Sequence, residues 1–99
     1  LETAARQGVR ARILDPWNCI EFLLPGTHCV WKQDYTYFSL IPVDRLLEHV
    51  TIRGAKYPLL DRTTRRGDSL TVSNEWVEDP ATVSFTGGCC YLIHSVNPR

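Results

Sequence analysis

Cys19-Ile20-Glu21-Phe22-Leu23-Leu24-Pro25-Gly26-Thr27-His28-Cys29-Val30-Trp31-Lys32 reads as an apolar run, a turn dipeptide and a second run rich in β-branched and aromatic residues. Short runs of this kind, bounded by Pro-Gly, are strand signals. The stretch predicts a hairpin, with strands over Cys19–Leu24 and Thr27–Lys32 and the turn at Pro25-Gly26.

The same punctuation continues on both sides. Upstream, Asp15, Pro16 and Asn18 make a turn, and Val9, Ala11 and Ile13 alternate as a strand does. Before them Leu1, Ala4 and Ala5 share a helical face that Gly8 ends, so Leu1 to Gln7 reads as the last turns of a helix. Downstream, Gln33-Asp34 turns the chain into Tyr35–Val43, whose alternation of aromatic and small residues suits a strand covered on both faces. Asp44 can cap one helical turn through Leu46, Leu47 and Val50. Val50–Arg53 is a strand ended by Gly54, and Pro58 confines Lys56–Leu60 to an edge or loop. Arg62–Asp68 is polar and reads as an exposed loop, Ser69–Val72 as a strand, and Ala81–Phe85 and Cys89–Val96 as a last pair joined by a Gly87-Gly88 hairpin turn. Seven or eight short antiparallel strands at nearly regular spacing predict an all-β fold, a jelly-roll-like β-sandwich with a short N-terminal helix.

Composition fits one domain: 99 residues, 43% apolar, 11 basic and 11 acidic side chains and no net charge. Acids and bases are balanced in both halves, so no nucleic-acid-binding face is expected. No apolar run approaches the length that spans a bilayer, and Leu1–Arg12 lacks the apolar centre of a secretory signal. Of the four cysteines, Cys89 and Cys90 are adjacent and point to opposite faces of a strand, which favours reduced, partly buried thiols over a disulfide framework. His28, Cys29 and Cys89 lack the closely spaced ligand pairs of a structural zinc site, so no metal is expected. No phosphate-binding glycine loop is present, the carboxylates are scattered, and His28, His49 and His94 follow no catalytic spacing.

Two places carry chemistry. In Ser69–Trp76, apolar Leu70 and Val72 give way to Ser73, Asn74 and Glu75, which either close a turn or offer fixed hydrogen-bonding groups at the rim of a sandwich. Tyr57, between Lys56 and Pro58, either covers core or stacks on a flat ligand ring. Arg66-Gly67-Asp68 spells an adhesion tripeptide, but without an export signal or disulfide scaffold it reads as a polar turn in which Gly67 supplies a positive φ. On the residues alone, a stand-alone β-sandwich module that binds a protein or sugar is the alternative function.

Three ordered blocks resemble the C-terminal part of bacterial thiamine pyrophosphokinases: Tyr37-Phe38-Ser39-Leu40-Ile41-Pro42, Gly54-Ala55-Lys56-Tyr57-Pro58-Leu59, and Gly67-Asp68-Ser69-Leu70-Thr71-Val72-Ser73-Asn74-Glu75-Trp76. The likeness extends through Gly88 to Ser95. It implies that residues 1–14 are the last helix and strand of an N-terminal α/β catalytic domain, and that residues 15–99 are a β-sandwich thiamine-binding domain. The family's enzyme transfers pyrophosphate from ATP to the thiamine hydroxyl with magnesium. The resemblance implies a cytoplasmic homodimer, with ATP and Mg2+ on the α/β domain and no catalytic residue or cofactor on this chain. It also implies a thiamine-binding wall of Tyr57, where eukaryotic relatives carry tryptophan, with Ser73, Asn74, Ser69 and Glu75. Arg66, Asp68 and Thr71 depart from the family's usual small or apolar residues, adding side chains expected near the rim, and Trp76 stands where phenylalanine is usual.

Overall fold

In a computed structural model, residues 1–98 are described. A helix α1 (Glu2–Arg6) precedes eight strands: β1 (Arg12–Leu14), β2 (Asn18–Leu23), β3 (Gly26–Val30), β4 (Tyr37–Pro42), β5 (Leu46–Arg53), β6 (Leu59–Arg65), β7 (Ala81–Phe85) and β8 (Cys90–Ser95). They form two antiparallel four-stranded sheets, β1-β2-β8-β4 and β3-β7-β5-β6. The inner faces supply the core: Leu23, Phe38, Leu40, Cys90 and Leu92 from one sheet against Val30, Leu47, Val50, Ile52, Ala81, Val83 and Phe85 from the other. These residues alternate with outward ones because successive strand side chains point to opposite faces. The expected all-β sandwich with a short N-terminal helix is the observed fold.

The turns expected to be hairpins are corners. β2 pairs with β8 and β3 pairs with β7, so residues 18–30 are one long strand that changes sheet at Leu24-Pro25. Residues 81–95 run beside it and change sheet at the glycine pair, and β4 and β5, on the other side of them, do the same around Val43 to Arg45. Pro-Gly and Gly-Gly therefore mark bends that pass the chain between sheets rather than reverse it, a recognised way to build sandwich corners. The packing explains Gly88. Its φ is +80°, and a Cβ there would run into the Leu46 carbonyl oxygen. The corner is closed by Val43 N–H to Cys89 O (3.0 Å) and Glu48 N–H to Gly87 O (2.9 Å).

The helical turn expected after Asp44 is instead part of β5, and the loop expected at Arg62–Asp68 is mostly β6. Two opposed β-bulges account for the first misreading. His49 and Asp61 both take left-handed backbones, at φ of 54° and 49°, where the β5–β6 register shifts. The extra residue at His49 puts Leu47 and Val50, three apart, on the same buried face, a spacing that imitates a helix. The bulges are tied together. His49 Nδ1 bonds Asp61 Oδ1 at 2.7 Å, and Thr63 and Thr51 accept the displaced His49 and Asp61 N–H groups. β6 looked like a loop because it is a polar edge strand, and of its residues Thr64 alone is fully buried. Ser69–Val72, expected to be a strand, is a series of turns.

Strand β1 hydrogen-bonds to β2, so it is continuous with the sandwich sheet. The residues before it are tied on by charge. Glu21, side chain 7% exposed, is gripped through both oxygens by Arg10, at 3.0 and 3.1 Å. Among the described residues no cysteine is bridged: Cys19, Cys89 and Cys90 are buried and Cys29 is exposed. Burial pushes the Cys90 thiol up to about 12, which makes it a poor nucleophile. Among the described residues no helix is long and apolar enough to cross a membrane.

Candidate functional site

Residues 71–77 run between the two sheets and stitch them along one side. Against β4, Leu40 N–H donates to Thr71 O (2.8 Å), and Phe38 and Asn74 exchange backbone hydrogen bonds of 2.9 and 2.8 Å. On its other side the segment meets the chain leaving β5. Lys56 N–H donates to Glu75 O (2.9 Å), and both Val77 and Glu78 N–H groups donate to Gly54 O (2.9 Å each). The segment thus joins the two sheets through isolated β-bridges, Phe38 with Asn74 and Ala55 with Trp76. Tyr57 and Glu75 reach the same edge because of it.

Asn74 sets the geometry. It is 2% exposed, and its amide behaves as a piece of backbone. Its oxygen accepts the N–H groups of Tyr57 and Glu75 (3.0 Å each), and its Nδ2 donates to Tyr57 O at 2.9 Å. One oxygen lone pair and one amide proton are committed to fixing Tyr57, and the second lone pair holds the Glu75 N–H. Tyr57 is 52% exposed, so it is held in place yet open to solvent. Lys56 Nζ sits 3.2 Å from Glu75 Oε2 and 5.4 Å from the Tyr57 ring centroid. That hydrogen bond to Glu75 raises the Lys56 ammonium above the ordinary lysine range.

Of the residues named from sequence, hydrogen bonds join Tyr57, Asn74 and Glu75. Ser73 adjoins them with a left-handed backbone (φ 55°) and its N–H on the Ser39 hydroxyl, 2.8 Å away. Ser69 stands a turn earlier, exposed, its carbonyl accepting the Val72 N–H. Thr71 does not face the rim as expected. It is buried, and its hydroxyl donates to Leu40 O at 2.7 Å. Arg66 is held by Val43 O, and the Asp68 carboxylate accepts the Arg65 N–H, closing the Arg-Gly-Asp turn. Together these residues make a wall rather than a cavity. One concavity of about 410 Å³ lies between Arg10 and β3, and a groove of about 570 Å³ runs past Pro58 and Glu78.

Sequence reasoning missed what supports the wall. Trp76 lies under it, its ring centroid 4.8 Å from Phe38 and 5.6 Å from His94, with Nε1 donating to Val30 O at 2.8 Å. His94 Nε2 contacts Trp31 O at 2.9 Å, which assigns the ring proton to Nε2 and leaves the buried Nδ1 without a partner. Burial lowers the His94 pKa, opposed by the Trp31 carbonyl. A neutral imidazole is therefore the native form. The unfolded chain binds that proton more readily, so the His94 contribution is complete above pH ~6.5 and is lost as pH falls below it. Unfolding free energies from urea titrations at descending pH are expected to fall by at most ~1.4 kcal/mol per pH unit from this proton, and the His94→Gln variant should lack that part of the slope. An equal slope in both proteins would exclude His94 as its source. No spacing in the sequence announces this triad, because Phe38, Trp76 and His94 come from three distant segments.

Comparison with known proteins places the chain. A family described as "Thiamin pyrophosphokinase, vitamin B1 binding domain" matches residues 27–90. The chain is 30% identical over 98 residues to thiamine pyrophosphokinase of Bacillus subtilis strain 168, covering 98% of this chain and 46% of that one. Its fold superposes on the crystal structure of the Bacillus subtilis thiamine pyrophosphokinase with a TM-score of 0.90 at 29% identity, over 97% of this chain and 45% of that one. The Geobacillus thermodenitrificans thiamin pyrophosphokinase gives 0.80 at 37% identity, over 87% and 40%. The chain spans less than half the length of these relatives. With a family match over well more than half of its residues and the same two-sheet fold, the chain belongs to the thiamin pyrophosphokinase vitamin B1 binding domain family.

Proposed function

We propose that this chain is the thiamine-binding part of a thiamine pyrophosphokinase and that the edge carrying Tyr57 is its ligand wall. The observation that carries the reading is the Asn74 clamp: an exposed aromatic ring fixed through both of its backbone polar groups, with a carboxylate beside it. Thiamine offers a flat aminopyrimidine and a cationic thiazolium. The cationic ring suits an aromatic face with a carboxylate beside it, and the aminopyrimidine suits fixed hydrogen-bonding groups. In this reading Tyr57 stacks, Glu75 faces the cation, Ser73 and Ser69 offer hydroxyls at the rim, and Asn74 acts by positioning Tyr57.

The same reading assigns the opposing wall to an α/β domain that precedes the sandwich, with residues 1–14 at the junction, and it makes the enzyme a cytoplasmic homodimer. Among the described residues no three His, Cys, Asp or Glu side chains gather where a metal ion could sit. In this reading ATP and its magnesium are assigned to the α/β domain. The sandwich contributes orientation of the thiamine hydroxyl, which phosphoryl transfer requires.

An amide NMR titration with thiamine tests the proposal. Saturable shifts are expected at Tyr57 and over residues 69–75, and Tyr57→Ala should weaken binding about fivefold or more, from ~1 kcal/mol of ring stacking and cation attraction. Shifts elsewhere, or unchanged affinity in Tyr57→Ala, would assign the edge another role.

A further inference from the structure

The Tyr57 edge already holds a cation. The Lys56 ammonium lies over the Tyr57 ring, 5.4 Å from its centroid, and 3.2 Å from the Glu75 carboxylate. An aromatic face with a carboxylate beside it is the pair of groups that recognises an organic cation. Here the chain supplies its own. The anchor of this arrangement is backbone: Lys56 N–H donates to Glu75 O at 2.9 Å, so the main chain stays put while the side chain above it can move. Both partners are accessible, at 54% and 36% side-chain exposure. Exposed ion pairs of this kind are weakly held, and lysine has a flexible four-carbon stem.

We propose that Lys56 is a displaceable stand-in for the ligand's cationic ring: a thiazolium binds by taking over the Tyr57 face and the Glu75 carboxylate while the ammonium swings into solvent. This rests on the edge being a thiamine site. Two properties follow from the exchange. The ligand must be a cation, because a neutral ring that evicted Lys56 would leave Glu75 without its counter-charge. Affinity is also held down, because each binding event breaks one ion pair to form another. The salt dependence of binding is correspondingly small, since screening weakens the pair lost as much as the pair gained.

The test compares thiamine titrations of the wild-type chain, Lys56→Gln and Lys56→Arg, each at low and high salt and followed by amide NMR. Lys56→Gln should bind thiamine about fivefold more tightly at low salt, the effect of removing one like charge a few ångströms from the ligand. Its binding should weaken on adding salt, while the wild type and Lys56→Arg change little. Equal or weaker binding by Lys56→Gln, or the same salt response in all three, overturns the proposal. If the wild type binds and Lys56→Gln gains nothing, the stand-in alone is wrong. If no variant binds, the thiamine reading of the edge falls with it.

Discussion

Replacing Trp76 by alanine is expected to cost about 3 kcal/mol of stability, the lower end of the loss for removing a large core aromatic, because the ring is partly buried. The indole fills the space between Phe38 and His94, and its N–H satisfies the Val30 carbonyl. Alanine leaves a cavity, a carbonyl without its donor and an imidazole facing a void. The damage should not stay local, because Trp76 pairs with Ala55 in a backbone bridge that carries the Tyr57 segment. Trp76→Phe separates the contributions: it keeps most of the packing and gives up the hydrogen bond, so ~1 kcal/mol is expected. Urea denaturation of both variants reads these numbers. A Trp76→Ala loss below ~1 kcal/mol would mean that the ring is not the support described here.

Asn74→Ala should follow, at about 3 kcal/mol, from three hydrogen bonds each worth ~1 kcal/mol net. This side chain is smaller than the tryptophan, and its main effect is one of geometry. Without the amide, the Tyr57 N–H, the Tyr57 carbonyl and the Glu75 N–H all lose their partner. Hydrogen exchange is the decisive measurement: the Tyr57 and Glu75 amides should lose protection in Asn74→Ala while β8 amides keep theirs up to the lowered global stability. Preserved protection at Tyr57 would show that the loop is held by something other than Asn74. Thiamine affinity, if the edge is its site, should fall in this variant although the tyrosine ring is still present.

How much of this was readable in advance depended on whether the information was local. Alternation in Ala81 to Phe85 matches its burial, because a half-buried strand writes its two faces directly into the sequence, while Tyr37 to Pro42, covered on both faces, is marked by its aromatic and apolar content. His49 broke that code, since one inserted residue changes the period, and the polar edge strand β6 never wrote it at all. Pro25-Gly26 and Gly87-Gly88 announced bends but not their angle, which depends on what the flanking strands pair with. At the proposed site, Tyr57, Ser73, Asn74 and Glu75 stand out as candidates through short ordered blocks. The direction in which Asn74 points was not legible, nor was the Lys56 pairing, because both depend on contacts 17 and 19 residues away in sequence.

The corners also bear on how the chain reaches this fold. The long strand of residues 18–30 takes its neighbours in both sheets from residues 81–95, and β4 and β5 take theirs from the same stretch. On a ribosome, the early half of the sandwich therefore waits with apolar edges unpaired until the last strand emerges, and closure spans most of the chain at once. Folding should be slow and all-or-none, and loss of β8 alone would deprive β2 and β4 together of the partner that joins them.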